Sequence, residues 1–469
     1  MKPLLLPAFL FIGLFANADA TPVDPAPPAT FDPTAIGDHI SAWVRATGIS
    51  GLSVVLVRDG TVALAQGYGK SSLASGEPVS TNTIFAIGSV TKQFTAACVL
   101  LLAEDGKLSV HDKVAKYFPG LTRAEDITLL DLMNHVSGYP DYYPLDFVDR
   151  RMKAPIEVDE LIRRYATGKL DFEPGMRWSY SNTGYLILGR VVEKVSGESF
   201  GAFLDHRILK PLGMDRTVYD PPGRGQGFAL GHSRFALGPL SSAGSEARGW
   251  LAAAGSLNST ALDLAKWDMA LVEGRVLRPD SYALMTTPRQ LSLGRVRGYG
   301  CGIAVSYRNG LLLLEHEGEV GGFQACNTVL PATKSAVVIL SNCEEWNSVD
   351  ELKATLVSLI MPESSDVPKI NGPAAAMAAK DFFLRLQTLK IDRAQLGGEF
   401  SIFLDDEKLK GASARLKPYG KPVKVEVFST GERGGMEVTK TRFTFKKGIL
   451  NALMYRTPDG VIQEFLLRP

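Results

Sequence analysis

The order of strand and helix patterns predicts an α/β (α+β) fold: one antiparallel sheet with strands from both ends of a helical region, followed by a small antiparallel β domain. Two observations carry this. Between residues 35 and 361, strand-like runs stand at both ends and helical periodicity fills the interval. After a Pro/Ser-rich break, PESSDVPKINGPAA at 362–375, come a helical pattern and six short alternating runs separated by Gly, Asp or Lys turns.

The elements follow in order. Residues 1–20 read MKPLLLPAFLFIGLFANADA, with Lys2 as a short basic start, an apolar run from Leu4 to Phe15 and an A-x-A pattern ending at Ala20. This predicts a signal peptide cut after Ala20 and a secreted or periplasmic protein. Residues 21–34 are a Pro/Ala-rich lead-in, and a helix begins near Ala35. GLSVVLVRDG and TVALAQGYG predict two strands turned at Asp59-Gly60. Helices and loops dominate from Ser89 to about Glu273. Strands return in GYGCGIAVSY, GLLLLEH, FQACNTVL and AVVILSN, and a helix from Ser348 to Leu359 closes the 35–361 domain. Beyond the linker, residues 376–469 give a helix over Ala376–Leu389. The runs EFSIFL, ASARLKPY, VKVEVFS, MEVTKTRFTF, ILNALMYR and VIQEFLL are then read as strands of a barrel-like or lipocalin-like domain.

Charge and cysteine usage narrow the function classes. With 51 basic and 50 acidic residues the net charge is +1, which calls for neither nucleic acid nor an anionic membrane as partner. Past the first 20 residues no apolar segment is long enough for a stable membrane span. A small molecule or short peptide is the expected partner, and the oligomeric state is open. Cys98 falls in an apolar helical pattern and reads as a buried thiol. Cys301, Cys326 and Cys343 lie in strand-like runs, and whether two of them pair is open.

Two serines compete as nucleophile. Gly197-Glu198-Ser199-Phe200-Gly201 matches G-x-S-x-G, but the run before Ser199 has helical rather than strand spacing, so Ser199 reads as a helix N-cap. Ser89-Val90-Thr91-Lys92 opens a long apolar helical pattern that Gly106 ends. The i, i+3 spacing places Ser89 and Lys92 on one face of the first turn. A serine hydroxyl needs a base in contact, and a desolvated lysine can be that base. The helix N-terminus offers backbone N–H groups to a developing oxyanion. Tyr180-Ser181-Asn182 follows a Pro-Gly turn. Tyr180 there can relay a proton if nearby cations lower its pKa, and Asn182 can hold a substrate carbonyl or Lys92. EHEGEVGGF at 315–323 is no metal site, since H-E-x-x-H would need histidine at position 320, which is valine. No cofactor or metal is implied.

SVTK, YSN and HEG, in that order, resemble the motifs of the serine β-lactamase and penicillin-recognising family. The resemblance is nearest to its class C β-lactamase, D-alanyl-D-alanine carboxypeptidase and esterase branch. LMNHVSGYP, FEPGMRWSYSNTGY, PLGM and AAGSLNSTALDLAKW match that branch as well, over about Ala35–Leu359. The resemblance implies the family's fold and a serine hydrolase working through an acyl-enzyme. Ser89 would be the nucleophile, Lys92 its proton acceptor, and Tyr180 the group that passes the proton on. Asn182 would orient the substrate, the strand from His316 through Glu317 to Gly318 would line the site, and the backbone N–H groups of Ser89 and Glu319 would form the oxyanion hole. Where class C enzymes usually carry K-T-G, this chain has His316-Glu317-Gly318. A negative Glu317 disfavours substrates that bind through a carboxylate and favours esters, amides or peptides offering an amino group.

A peptidase acting on D-amino-acid peptides, a carboxylesterase and a β-lactamase all fit this reading. The alternative from another class is a catalytically silent ligand-binding protein. Tyr139, Tyr142 and Tyr143 line the cleft entrance or pack a loop. Arg234 and Arg248 meet substrate or stay solvated. His135 reads as structural.

Overall fold

The computed structural model describes residue 28 and residues 31–468, except 144, 146, 236–237, 292–297, 309, 345 and 362–366, and without the side chains of 346–348. The predicted leader thus lies outside the described residues. Helix α1 (Pro33–Thr47) starts where the Asp32 carboxylate accepts from the Thr34 N–H, and ends at Gly48 in the left-handed region. Strands β1 (Gly51–Arg58) and β2 (Thr61–Gly69) form the expected hairpin, with Asp59 and Gly60 both at positive φ.

The helical region contains α2 (Thr91–Glu104), α3 (Asn182–Ser196) and α4 (Ala261–Val272). Then come β3 (Ala304–Arg308), β4 (Leu311–Val320), β5 (Phe323–Leu330), β6 (Ser335–Ser341) and α5 (Trp346–Ile360). The sheet runs β2-β1-β6-β5-β4-β3, antiparallel throughout, so the N-terminal hairpin joins the C-terminal strands through the β1–β6 pair.

Alternation along β1 and β6 sends side chains to two cores. Leu52, Val54, Leu56 and Ile339 pack with Ile40 and Trp43 of α1 and Leu356 of α5. Val55, Val57, Val338 and Leu340 belong to the larger core with Phe94 of α2 and Trp267 of α4. Helix α2 has neighbours all round, and Thr91 through Leu102 are buried. That enclosure dries the first turn, where Lys92 stands.

The C-terminal segment folds as α6 (Ala375–Thr388), α7 (Gly398–Phe403), α8 (Asp406–Leu416) and the strands β7 (Lys424–Arg433), β8 (Met436–Phe445), β9 (Gly448–Arg456) and β10 (Ile462–Arg468). The antiparallel β domain is present. Two runs read as strands are helical: EFSIFL is α7, and ASARLKPY is the end of α8 and the turn after it. Asp405 caps α8 by accepting from the Lys408 N–H at 2.8 Å, a local start signal that short-run alternation obscured. Phe400 and Leu404, four residues apart, turn one apolar face to the same core, as helical spacing requires. The four strands form an open meander in the order β7-β8-β9-β10 instead of a barrel. Helices cover its apolar face, with Phe383 on Phe443 at 5.1 Å and Phe382 on Phe465 at 4.9 Å.

Candidate active site

A short 3-10 turn, Gly88–Val90, leads into α2 and presents Ser89 to a cavity of about 540 Å³. One turn on, Lys92 is fully buried. Its ammonium nitrogen lies 3.0 Å from the Ser89 hydroxyl, 2.7 Å from Asn182 Oδ1 and 2.8 Å from the Ala254 carbonyl. Burial disfavours its charged form and lowers its pKa to about 7, against a smaller opposing pull from the Asp141 charge. At neutral pH much of Lys92 is therefore a free amine in contact with a hydroxyl.

Tyr180 borders the same cavity. Lys92 Nζ lies 4.8 Å from its ring centroid. The condition read from the sequence, a phenol pKa lowered by nearby cations, is not met. Desolvation raises it above the usual phenol value, so the hydroxyl keeps its proton at neutral pH. His135 stacks beneath Tyr180 at 4.3 Å between ring centroids, and its Nδ1 accepts from the Ser181 N–H. This is the holding role expected of it.

Asn182 is the first residue of α3. Its backbone N–H and side-chain amide both donate to the Asp141 carboxylate, at 3.1 Å each. Asp141, which also accepts from the Tyr143 N–H, thereby caps the helix and turns Asn182 Oδ1 toward Lys92. His316 is buried on β4. Its Nδ1 lies 2.6 Å from the Glu317 carbonyl oxygen and so carries the proton, leaving Nε2 to accept from the Tyr299 hydroxyl at 2.8 Å. Burial and the nearby Lys92 lower its pKa to about 3, so the ring is neutral.

Gly318 and Gly88 let two backbones touch. A Cβ on Gly318 would stand 3.1 Å from the Ser89 nitrogen, and one on Gly88 would stand 2.8 Å from the Glu319 nitrogen. The two-residue turn Gly321–Gly322 makes Val320 and Phe323 the closing pair. Glu319 opposite Gln324 is then a non-hydrogen-bonded pair, whose N–H points off the strand edge toward the Ser89 turn. Glu317 also lines the cavity, but its charge is compensated by an ion pair with Lys353 of α5. Among the described residues, the carboxylates of Glu317 and Asp350 and the Cys326 thiol come close enough together to hold a metal ion. The Lys353 ammonium pairs with both carboxylates there.

All eight sequence-predicted residues thus converge on one cavity or its wall. Asp141 and Tyr299 were not singled out from the sequence, although Asp141 stands between Tyr139 and Tyr142, which were. Tyr143 lines the cavity, whereas Tyr139 and Tyr142 are buried in the core. Arg248 pairs with Asp220 outside the cavity lining, and Arg234 does not line the cavity. Ser199 caps a short helix by accepting from the Ala202 N–H, as expected. Cys98, Cys301, Cys326 and Cys343 are free and buried, so the open pairing resolves to none.

A serine hydroxyl at a helix start, in contact with the amine of a buried lysine, is the geometry expected of a serine hydrolase. The chain belongs to the Beta-lactamase family, whose model matches residues 36–361. It is similar to penicillin-binding protein 4* of Bacillus subtilis (strain 168), 30% identical over 337 residues, or 68% of this chain and 74% of that one. A D-stereospecific amidohydrolase from Streptomyces sp. superposes with a TM-score of 0.60 at 25% identity, covering 68% of this chain and 98% of that one. The octameric penicillin-binding protein homologue from Pyrococcus abyssi shares the fold at 22% identity and a TM-score of 0.61, over 93% of this chain and 100% of that one. The family and the serine hydrolase class expected from the sequence are both borne out.

Proposed function

We propose that the protein is an exported hydrolase that cleaves small amides or esters, D-amino-acid peptides and amides foremost, through an acyl-enzyme on Ser89. The contact between the Lys92 amine and the Ser89 hydroxyl at 3.0 Å, inside a dry helix turn, carries this reading. Lys92 takes the hydroxyl proton as Ser89 Oγ attacks the substrate carbonyl. The N–H groups of Ser89 and Glu319 receive the oxyanion. Tyr180, still protonated, gives its proton to the departing nitrogen or oxygen and regains one from Lys92. Water then enters by the reverse relay and releases the acid. Asn182, held by Asp141, keeps Lys92 aimed at Ser89.

The D-amino-acid preference is supported by the likeness to the D-stereospecific amidohydrolase. Export rests on the pattern of residues 1–20. The test is intact mass after exposure to a fluorophosphonate, with Ser89→Ala as control, together with turnover of D- and L-phenylalanine amide. The expected result is one adduct on the wild type, none on the variant, and faster release of ammonia from the D-amide. No adduct on the wild type would overturn the acyl-enzyme, and equal or L-favouring turnover would overturn the substrate class.

A further inference from the structure

The strand that carries His316 also places an ion pair inside the cavity. The Lys353 ammonium reaches from α5 to the Glu317 carboxylate and lies 3.3 Å from Asp350. Among the described residues Lys353 is the only lysine or arginine lining the cavity, against Asp141, Glu315, Glu317, Glu319 and Glu344. The Lys353 side chain is 17% exposed and that of Glu317 is 39% exposed, so both are reachable from the cavity without being fully solvated.

We propose that Glu317 is a specificity latch: by holding the Lys353 ammonium, it withholds from substrate carboxylates the one lysine or arginine that the described lining residues offer them. An incoming carboxylate must either displace Glu317 or share one ammonium with it at close range, among other acids. Like charges at such separations in a partly desolvated cleft repel each other. A neutral or amino-bearing substrate meets no such penalty. The cavity therefore selects on substrate charge, and the element that decides it is Glu317 acting on Lys353 rather than Glu317 acting alone.

This inference rests on Ser89 being the acylated residue. Its test uses two acylating agents that differ at one group, the carboxylate of benzylpenicillin and the neutral carboxyl of its methyl ester. Each opens by attack of Ser89 Oγ on the lactam carbonyl, with the ring C–N bond breaking and the nitrogen taking a proton. Acylation rates are read by intact mass on the full-length protein and on Glu317→Gln, Lys353→Met and the double variant. Glutamine keeps the length and a carbonyl oxygen for Lys353 but removes the charge. The expected result is an acid-to-ester rate ratio that rises at least tenfold in Glu317→Gln and returns to the wild-type ratio or below in the double variant. An unchanged ratio in Glu317→Gln, or a rise that survives loss of Lys353, overturns the latch. Fluorophosphonate labelling of Ser89 in each variant separates these outcomes from misfolding. A wild type that takes no label would instead sink the acyl-enzyme reading.

Discussion

Replacing Lys92 by Met tests the electrostatics of the site through protein stability, independently of any substrate. The lysine pKa falls from its ordinary 10.5 to about 7 because folding buries the ammonium. Between those values the unfolded chain binds a proton that the native state does not, so stability rises with pH across that window. From pH 7 to pH 9 the native state sheds about 1.7 units' worth of protonation free energy that the unfolded state retains. At about 1.36 kcal/mol per unit this gives the wild type a gain of about 2.3 kcal/mol relative to Lys92→Met. Methionine fills similar volume and does not titrate. It also strands Asn182 Oδ1 and the Ala254 carbonyl, and that cost moves the whole curve without changing its slope. The assay is urea unfolding of both proteins at pH 7, 8 and 9 in constant salt. Parallel curves for the two proteins would show that Lys92 titrates in the native state as it does in the unfolded chain. The same ionisation sets the acid limb of kcat/KM, which should rise with pH through about 7.

Asp141→Asn removes the charge that favours protonated Lys92, so the acid limb of kcat/KM should move to lower pH; a limb that stays or moves up would refute the coupling. Tyr299→Phe deletes the donor to His316 Nε2 and leaves a buried nitrogen without it, which should cost about 1–3 kcal/mol in denaturant unfolding. Ser199→Ala should cost about 1 kcal/mol as a lost helix cap and leave fluorophosphonate labelling at the wild-type rate; a loss of labelling would reopen Ser199 as a catalytic candidate.

The parts legible in the sequence were those encoded locally. Ser89 and Lys92 share a helix turn, and their spacing alone fixes a common face. The Asp59-Gly60 hairpin and the Ser199 cap are likewise local. What escaped was made by distant segments meeting. Asp141 reaches Asn182 across 41 residues from an irregular loop with no periodicity to mark it. Lys353 reaches Glu317 from a helix 36 residues on, so a charge that looked exposed in the sequence is paired in the fold. The sign of the Tyr180 shift was left open in the sequence for a related reason. Desolvation by burial, a property of the whole core, is the largest cause of the shift, and the Asp141 charge pushes the same way. In the C-terminal segment, short apolar runs fit both periods, and tertiary packing on Phe382 and Phe465 decided for helix in α7.

The electrostatic pattern around Ser89 has a consequence for the first proton transfer. His316 and His135 are held neutral by burial, and Tyr180 keeps its proton. Among the described residues beside Ser89, the groups that change charge in the proposed transfer are then Ser89 and Lys92 themselves. Moving the serine proton to the amine creates an ammonium and an oxyanion in a dry cavity, a separation that is costly unless each charge finds a partner at once. The ammonium has Asn182 Oδ1 and the Ala254 carbonyl within 2.8 Å and the Asp141 carboxylate behind Asn182. For the oxyanion, the proposed partners are the backbone N–H groups where Ser89 and Glu319 come together. Asp141 therefore acts in two directions. It raises the Lys92 pKa, which lowers the fraction of free amine at rest, and it stabilises the ammonium that the transfer produces. Burial pulls the lysine far down and Asp141 pulls it part of the way back. The balance leaves Lys92 near neutrality, where a proton acceptor is deprotonated often enough to start the reaction and basic enough to complete the transfer.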